Sequence, residues 1–355
     1  MKGVILHGGS GTRLRPLTYT DVKQLLPVGG KPVSQYALEN LIELGIKDIN
    51  IIVGEVGEKE VKEYYTDGSR WNVNISYTYQ EKPLGIAHAI SLVENFTERE
   101  DFVVVLGDNY FQNGLRALLE DFNRRKPDAL VALTKVDEPW HYGIATVQNG
   151  KIVKMQEKPK KPDSNLAVTG AYFLRDSIFN IIKGLKPSWR NELEITDAFQ
   201  NMIESGMSVS YVIIDGWWKD TGTVNEFLDC NRMVLDKINR KVDASMKTVN
   251  ISGRTYIGES VLVDHKSKVL GPCFIGSNSK IENSYVGPYT SIGNNCHLKN
   301  VEIEDSVVMD GSRIEISNGT RISQSLIGAN TIIRPNGSNS KRLSLFVGRD
   351  SVIEL

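Results

Sequence analysis

Two hydrophobic periodicities divide the chain. Up to about residue 235, short apolar runs alternate with stretches whose apolar residues recur at helical spacing: Lys2 to Leu6, Val33 to Leu44 ending near Gly45, Lys47 to Val53, Ser76 to Gln80, Ala87 to Glu94, and Phe102 to Leu106. Continuous β-type runs separated by helices predict an α/β fold, with a Rossmann-like, doubly wound and mainly parallel sheet. In such a sheet ligands sit at the carboxyl ends of the strands. An amphipathic helix from Phe227 to Ile238 closes this part.

From about residue 250 the period shortens. Small β-branched or aliphatic residues recur every five or six positions, at Ile257, Val263, Val269, Ile275, Ile281, Val286, Ile292 and Leu298. Gly or Asn often follows, as in IGES, IGSN, VGPY, IGNN and IGAN. A period near six predicts a left-handed parallel β-helix, whose coils are stable only when they stack their aliphatic residues on one another. The pattern is clearest from 255 to 298, slips between Ser317 and Ser325, and fits the terminal LSLFVGRDSVIEL less well. Two domains are therefore expected, an α/β domain over 1–238 and a hexapeptide-repeat β-helix over 239–355.

The length of 355 residues allows two sizeable cores. A net charge of −1 gives no electrostatic case for a nucleic-acid partner or an anionic membrane. Cys230, Cys273 and Cys296 are an odd number without a CxxC pair, which suits a reducing compartment. No basic segment with an apolar signal core opens the chain and no apolar run approaches ~18 residues, so a soluble, cytoplasmic protein is expected.

Chemistry concentrates after the first strand, in HGGSGTRLRP and then KQLLPV. Gly8, Gly9, Ser10 and Gly11 form a backbone largely free of Cβ atoms, able to aim several N–H groups at one anion. Arg13 and Lys23 add two cations, more than a monophosphate needs, so a polyphosphate fits better. The dinucleotide pattern GxGxxG fails at Leu14, and Gly30-Lys31 and Gly150-Lys151 lack the Ser or Thr of a P-loop. A purely structural turn would not require Arg13, Lys23 and Pro27 in this order.

Other candidates fall at strand ends. Gln80 closes ISYTYQ, and Gly85 precedes the helix start IAHAI; a Gln amide has the donor and acceptor to meet the N3–H and O4 of thymine or uracil, although such a Gln is more often a plain surface residue. Asp108, after VVVLGDN, reads as a turn former or as a ligand for Mg²⁺, with Asp220 of GWWKDTGT as the second carboxylate. HYGIATV, MQEKP and AVTGAYF supply Tyr142, Gly143, Glu157, Lys158, Thr169 and Gly170: an aromatic, a carboxylate, a lysine and bare backbone, as hexose phosphate binding requires. By composition alone Glu157-Lys158 reads rather as a solvated pair. RNELEITDAF starts a helix with Thr196 and Asp197 as possible caps, Glu192 and Arg190 being minor sugar-contact candidates, and Trp217-Trp218 reads as packing.

GGSGTRLRP followed by KQLLPV resembles the signature of the sugar-1-phosphate nucleotidylyltransferases, most closely their glucose-1-phosphate thymidylyltransferase branch. QEKPLGIAHA and the YG, EKP and VTG elements follow in that family's order, and the resemblance spans residues 1 to 235 with specific motifs and 250 to 330 with a generic repeat. It implies a GT-A-like nucleotidyltransferase domain and the condensation of dTTP or UTP with a hexose 1-phosphate, glucose foremost. Leu6, Gly8, Gly9, Gly11, Thr12, Arg13, Lys23, Gln80, Gly85 and Asp108 are then implied nucleotide contacts, with Leu6 beneath the base. Tyr142, Gly143, Glu157, Lys158 and Thr169 are implied sugar-phosphate contacts, Asp108 and Asp220 the Mg²⁺ ligands, and Arg13, Lys23, Lys158 and Asp108 the catalytic groups.

His7 departs from the family, which usually has Ala there. The β-helix is expected to assemble a homo-oligomer. Some bifunctional relatives instead carry an amino-sugar-phosphate N-acetyltransferase in this tail, for which His265 or His297 could serve as the base, although each reads more readily as a surface or coil-corner residue. A catalytically silent regulatory homologue is the remaining alternative, but it would have no physical need to keep Arg13, Lys23, Asp108, Lys158 and Asp220 together.

Overall fold

A computed structural model describes residues 1–9, 11–242, 250–316, 320–335 and 342–354. Ser10 of the glycine loop and residues 317–319, where the repeat was expected to slip, lie outside the described residues. The chain forms two compact units, one of Met1–Gly9 with Ser34–Trp218, the other of Ser10–Val33 with Lys219–Leu355.

The first unit is built on a sheet whose strands run, edge to edge, Lys151–Glu157, Gly143–Gln148, Leu166–Leu174, Phe102–Leu106, Lys2–Leu6, Asp48–Val53 and Asn74–Tyr79. Ala129–Lys135 pairs with Leu166–Leu174 and with Val209–Ile213. Lys2–Leu6 is parallel to both neighbours, and Asp48–Val53 to Asn74–Tyr79, because helices such as Val33–Glu43 and Glu58–Tyr65 carry the chain back between them. Val4, Ile5, Ile51, Val103 and Val104 are fully buried, which is why these runs are apolar on both faces. Leu166–Leu174 is antiparallel to all its partners, and Lys151–Glu157 returns on Gly143–Gln148. The sheet is therefore mixed, with Gly8, Gly9, Gln80 and Gly85 following strands of its parallel part and the sugar-type motifs on its antiparallel part.

In the second unit, the Val224–Asp236 helix starts with a capping box, Thr223 Oγ1 accepting from the Glu226 N–H while Glu226 accepts from the Thr223 N–H. Beyond it the strands form three all-parallel sheets, of six strands each among the described residues, as a left-handed β-helix. Ile257, Val269, Ile275, Ile281, Val286, Ile292 and Leu298 are at most 3% exposed, while Val263 is only partly buried. The repeat continues past 298 through Ile303, Val308, Ile314, Ile322, Ile327 and Ile333 to the strand Val352–Glu354, further than the sequence pattern suggested. The reason is coil length: the stacked pairs Ile257↔Ile275, Ile275↔Ile292, Ile292↔Val308, Val308↔Ile327 and Ile327↔Val347 are 18, 17, 16, 19 and 20 residues apart, so no fixed period survives. Asn278, Asn295 and Asn330 turn coil corners at φ near +57°, the left-handed region Asn tolerates. Among the described residues no helix is long and apolar enough to cross a membrane, and all three cysteines are buried and unbridged.

Candidate active site

In the first unit, the His7 N–H donates to Ile52 O, so the sheet extends one residue past Leu6 before Gly8 and then Gly9, whose φ of +107° suits glycine. Gln80 follows the end of the Asn74–Tyr79 strand and is buried. Its Nε2 lies 2.9 Å from His88 Nδ1, and its Oε1 faces Gly8, 3.4 Å from where a Cβ would be. His88 is a partner that motif reading missed, although it stands within the same QEKPLGIAHA run. Gly85, at φ +102°, leads into the Ile86–Ser91 helix; a Cβ there would lie 2.5 Å from Leu193 O, so glycine is required by the chain itself whatever a base would need.

His7 is fully enclosed, meets Tyr65 edge to face at 5.8 Å, and has neither ring nitrogen hydrogen-bonded. Burial pushes its pKa down to about 3, against the opposing pull of Asp108, so the ring is neutral. Asp108 follows the Phe102–Leu106 strand and accepts from Asn109 Nδ2 at 2.7 Å. Asn109 Oδ1 in turn accepts from the Trp218 indole N–H at 2.7 Å and from the Gly170 N–H at 3.2 Å. Trp218, edge to face with Tyr142, is thus packed as expected, but it also fixes the residue that holds Asp108. Trp217 is exposed.

The sugar-type residues cluster. Glu157 Oε2 accepts from the Thr196 hydroxyl at 3.1 Å, and Oε1 lies 3.5 Å from Arg190 Nη1 and 4.0 Å from Lys158 Nζ. Gly143 is beside them: a Cβ would stand 2.5 Å from Thr196 Cγ2 and 3.1 Å from Glu157 Oε2. Lys158 takes a left-handed φ of +40°, its N–H donating to Tyr142 O. Burial, and then the nearby Glu194, push the Glu157 carboxyl up to about 7, with Lys158, Thr196 and Arg190 opposing. Arg190 also meets Glu192 at 2.9 Å and Glu194 at 3.3 Å, so Glu194, unpredicted and buried, organises this corner. Glu194 is also the N-cap of the Ile195–Glu204 helix, which places Thr196 and Asp197 inside the first turn rather than at the cap. The Thr169 hydroxyl donates to Ala132 O, so its proton is committed within the sheet.

The second unit holds the remaining candidates. Gly11, at φ +60°, lets the loop fold back: the Thr18 hydroxyl donates to Gly11 O at 2.7 Å, and a Cβ would lie 2.9 Å from Thr18 Cγ2 and 3.2 Å from Lys23 Cβ. Lys23 is 8% exposed, on a short 3₁₀ turn; Thr12 and Arg13 are exposed. The Arg13 guanidinium lies over Gly222, where a Cβ would be 2.7 Å from Nη2, and Asp220, which ends the strand Trp218–Asp220, stands two residues earlier. His297, the tail's candidate base, is tied to Glu282 at 2.5 Å on a sheet that also carries Lys280 and Lys299, and His265 is exposed in a turn.

Comparison with known proteins identifies the family of the chain. The family model for nucleotidyl transferases matches residues 2–237. The glucose-1-phosphate thymidylyltransferase of Streptomyces antibioticus is 38% identical over 358 residues, covering 100% of this chain and 99% of its own. The low-salt glycan biosynthesis nucleotidyltransferase Agl11 of Haloferax volcanii is 42% identical over 331 residues, 92% of either chain. A crystal structure from Bacillus anthracis, described as a glucose-1-phosphate thymidylyltransferase in complex with a sucrose, superposes with a TM-score of 0.63 at 41% identity, over 68% of this chain and 98% of that one. By the family match, and by relatives aligned along nearly its whole length, the chain belongs to the nucleotidyl transferase family.

Proposed function

We propose that the protein condenses dTTP, with UTP as second choice, and α-D-glucose 1-phosphate into dTDP-glucose and pyrophosphate. The observation that carries this reading is Gln80, buried at the end of a parallel strand with its amide oxygen facing Gly8, where a pyrimidine edge would be met. The full-length similarity to the Streptomyces antibioticus thymidylyltransferase supports the same substrates.

A phosphate oxygen of the sugar attacks the α-phosphorus in line, the bond to the β-phosphate bridging oxygen breaks, and pyrophosphate leaves with the electron pair. No covalent enzyme intermediate is needed, so the side chains work by positioning and charge. Leu6, Gly8, Gly9, Gly11, Thr12, Gln80 and Gly85 bind the nucleotide, and Arg13 and Lys23 draw off charge from its β and γ phosphates. Lys158 holds the attacking phosphate. Glu157 accepts sugar hydroxyls, with Tyr142, Gly143 and Thr169 shaping that side. Asp108 and Asp220 would hold Mg²⁺. Carboxylates are hard donors suited to it, and since no group of three or more His, Cys, Asp or Glu gathers among the described residues, phosphate oxygens and water would complete its shell. Bound there, the ion would neutralise charge at the α-phosphate. On this reading residues 1–238 are the catalytic domain and 239–355 the hexapeptide domain of a cytoplasmic homo-oligomer.

The test is incubation with Mg²⁺, dTTP and glucose 1-phosphate, with products weighed by mass spectrometry. Equal amounts of dTDP-glucose and pyrophosphate are expected; no sugar nucleotide from any hexose 1-phosphate would overturn the proposal.

A further inference from the structure

Strands of the β-helix point residues alternately in and out, so the residues of one sheet that precede its inward Ile and Val positions, Tyr256↔Phe274↔Ser291↔Val307↔Leu326↔Phe346, form a register-aligned outward column. The other two faces turn exposed side chains outward, Lys268, Glu302 and Arg321 on one, Lys280, Arg313 and Ile332 on the other. In the column, by contrast, Ser291, Val307 and Leu326 are at most 3% exposed. At its Phe274 and Ser291 rungs it is covered by chain of the same unit, at Gly30 and Asn231.

That cover includes the segment bearing Arg13 and Lys23, and it is fastened at two places. At the hairpin of Pro27–Val28 with Lys31–Pro32, the Gly29 N–H donates to Asn231 Oδ1 at 3.0 Å; Asn231, fully buried, also accepts from Ser291 Oγ at 2.7 Å and donates to Tyr289 O at 3.0 Å. Beside it the Phe274 ring, stacked on Tyr256, occupies the space of a Cβ at Gly30. At the other end, Gly348 of the last coil lies against Pro16, its Cβ position 3.3 Å from Pro16 O. Arg349 there forms an ion pair with Asp21, its Nε donating at 3.0 Å. Phe274 and Phe346 are four rungs apart, about 19 Å at roughly 4.8 Å per rung, so the segment is laid along the β-helix with Lys23 between its two fastenings.

We propose that the β-helix is a backing for the triphosphate-binding segment, and that Arg349 and Asp21 are positioning residues that latch this segment to the last coil. The inference rests on the reading above that Arg13 and Lys23 handle the triphosphate. It gives the tail a role within its own chain. Lys23 stands two residues from Asp21, so loss of the latch loosens the lysine without touching the sugar-type cluster of the first unit.

The experiment uses the full-length protein with Arg349→Ala, Asp21→Ala, the charge-reversed pair Asp21→Arg with Arg349→Asp, and Phe274→Ala, all compared with Arg13→Ala. With Arg349 half exposed against a largely buried Asp21, the effect is modest: about a two- to fivefold fall in kcat with dTTP in each latch variant, with KM for glucose 1-phosphate unchanged and the reversed pair restored. Phe274→Ala, at the second fastening, moves the same parameter. Thermal unfolding reports folding separately. Unchanged dTTP parameters in Arg349→Ala, or equal shifts for both substrates that follow Tm, overturn the latch while Arg13→Ala remains impaired. Wild-type turnover in Arg13→Ala overturns the triphosphate reading, and the latch with it.

Discussion

Replacing Glu157 by Gln removes one ionisable group from the sugar-type cluster, and its consequence can be worked out beforehand. The carboxyl is mostly buried, one oxygen bonded to the Thr196 hydroxyl, the other 3.5 Å from Arg190 Nη1, and it titrates at about 7 in place of 4.5 because burial and Glu194 outweigh the nearby cations. Between those values the folded protein keeps a proton that the unfolded chain has released, so stability falls as pH rises through this window, by about 1.4 kcal/mol per unit and on the order of 3 kcal/mol above pH 7. Gln has no such slope. The Glu157→Gln variant should therefore gain on the wild type between pH 5 and pH 8, with a relative rise in Tm on the order of 5 °C. At the same time it loses a charged acceptor for sugar hydroxyls, and KM for glucose 1-phosphate should rise about 10- to 100-fold. In the wild type that KM should fall as pH climbs through about 7 and the carboxylate forms. Thermal melts and initial rates over this range check both halves, and parallel Tm curves for the two proteins would refute the electrostatic reasoning.

Arg13→Ala and Lys23→Ala should each lower turnover by about 10² to 10³ in a pyrophosphate-release assay, and a change confined to KM would contradict their proposed role in the transition state. Gly85→Ala forces a side chain to φ +102° and 2.5 Å from Leu193 O, so unfolding in urea should come earlier by about 1–3 kcal/mol; an unmoved midpoint would show that the two segments are not held so close. His7 titrates at about 3, below its unfolded 6.5, so the unfolded chain gains a proton there that the folded one refuses and stability falls as pH drops below 6.5. His7→Ala should flatten that acid slope in Tm between pH 4.5 and 7.5, and an identical slope would refute it.

The parts legible in the sequence are those whose signal is local. The runs at Lys2–Leu6, Asp48–Val53 and Phe102–Leu106 are apolar because both faces of a parallel sheet are covered, and the first coils announce themselves through evenly spaced Ile and Val. The antiparallel part was less visible, since nothing near Leu166–Leu174 names Phe102–Leu106 as its partner. The later coils hid behind changing coil length. At the candidate site, glycine spacing and strand ends marked Gly8, Gly85 and Asp108, while Glu194 and His88 matter through partners four to eight residues away across a turn, which no periodicity records. Thr169 was legible as a motif but not in its direction: only the pleat decides that its hydroxyl meets Ala132. That residues 11–33 group with the β-helix rather than the sheet is a long-range fact with no local mark at all.

The central claim is that Gln80 reads a pyrimidine for transfer to glucose 1-phosphate. It is tested most directly by pyrophosphate release with Mg²⁺ and glucose 1-phosphate, run in parallel with dTTP, UTP, CTP, ATP and GTP. The account predicts the fastest release with dTTP and UTP next; a preference for ATP, GTP or CTP would contradict it.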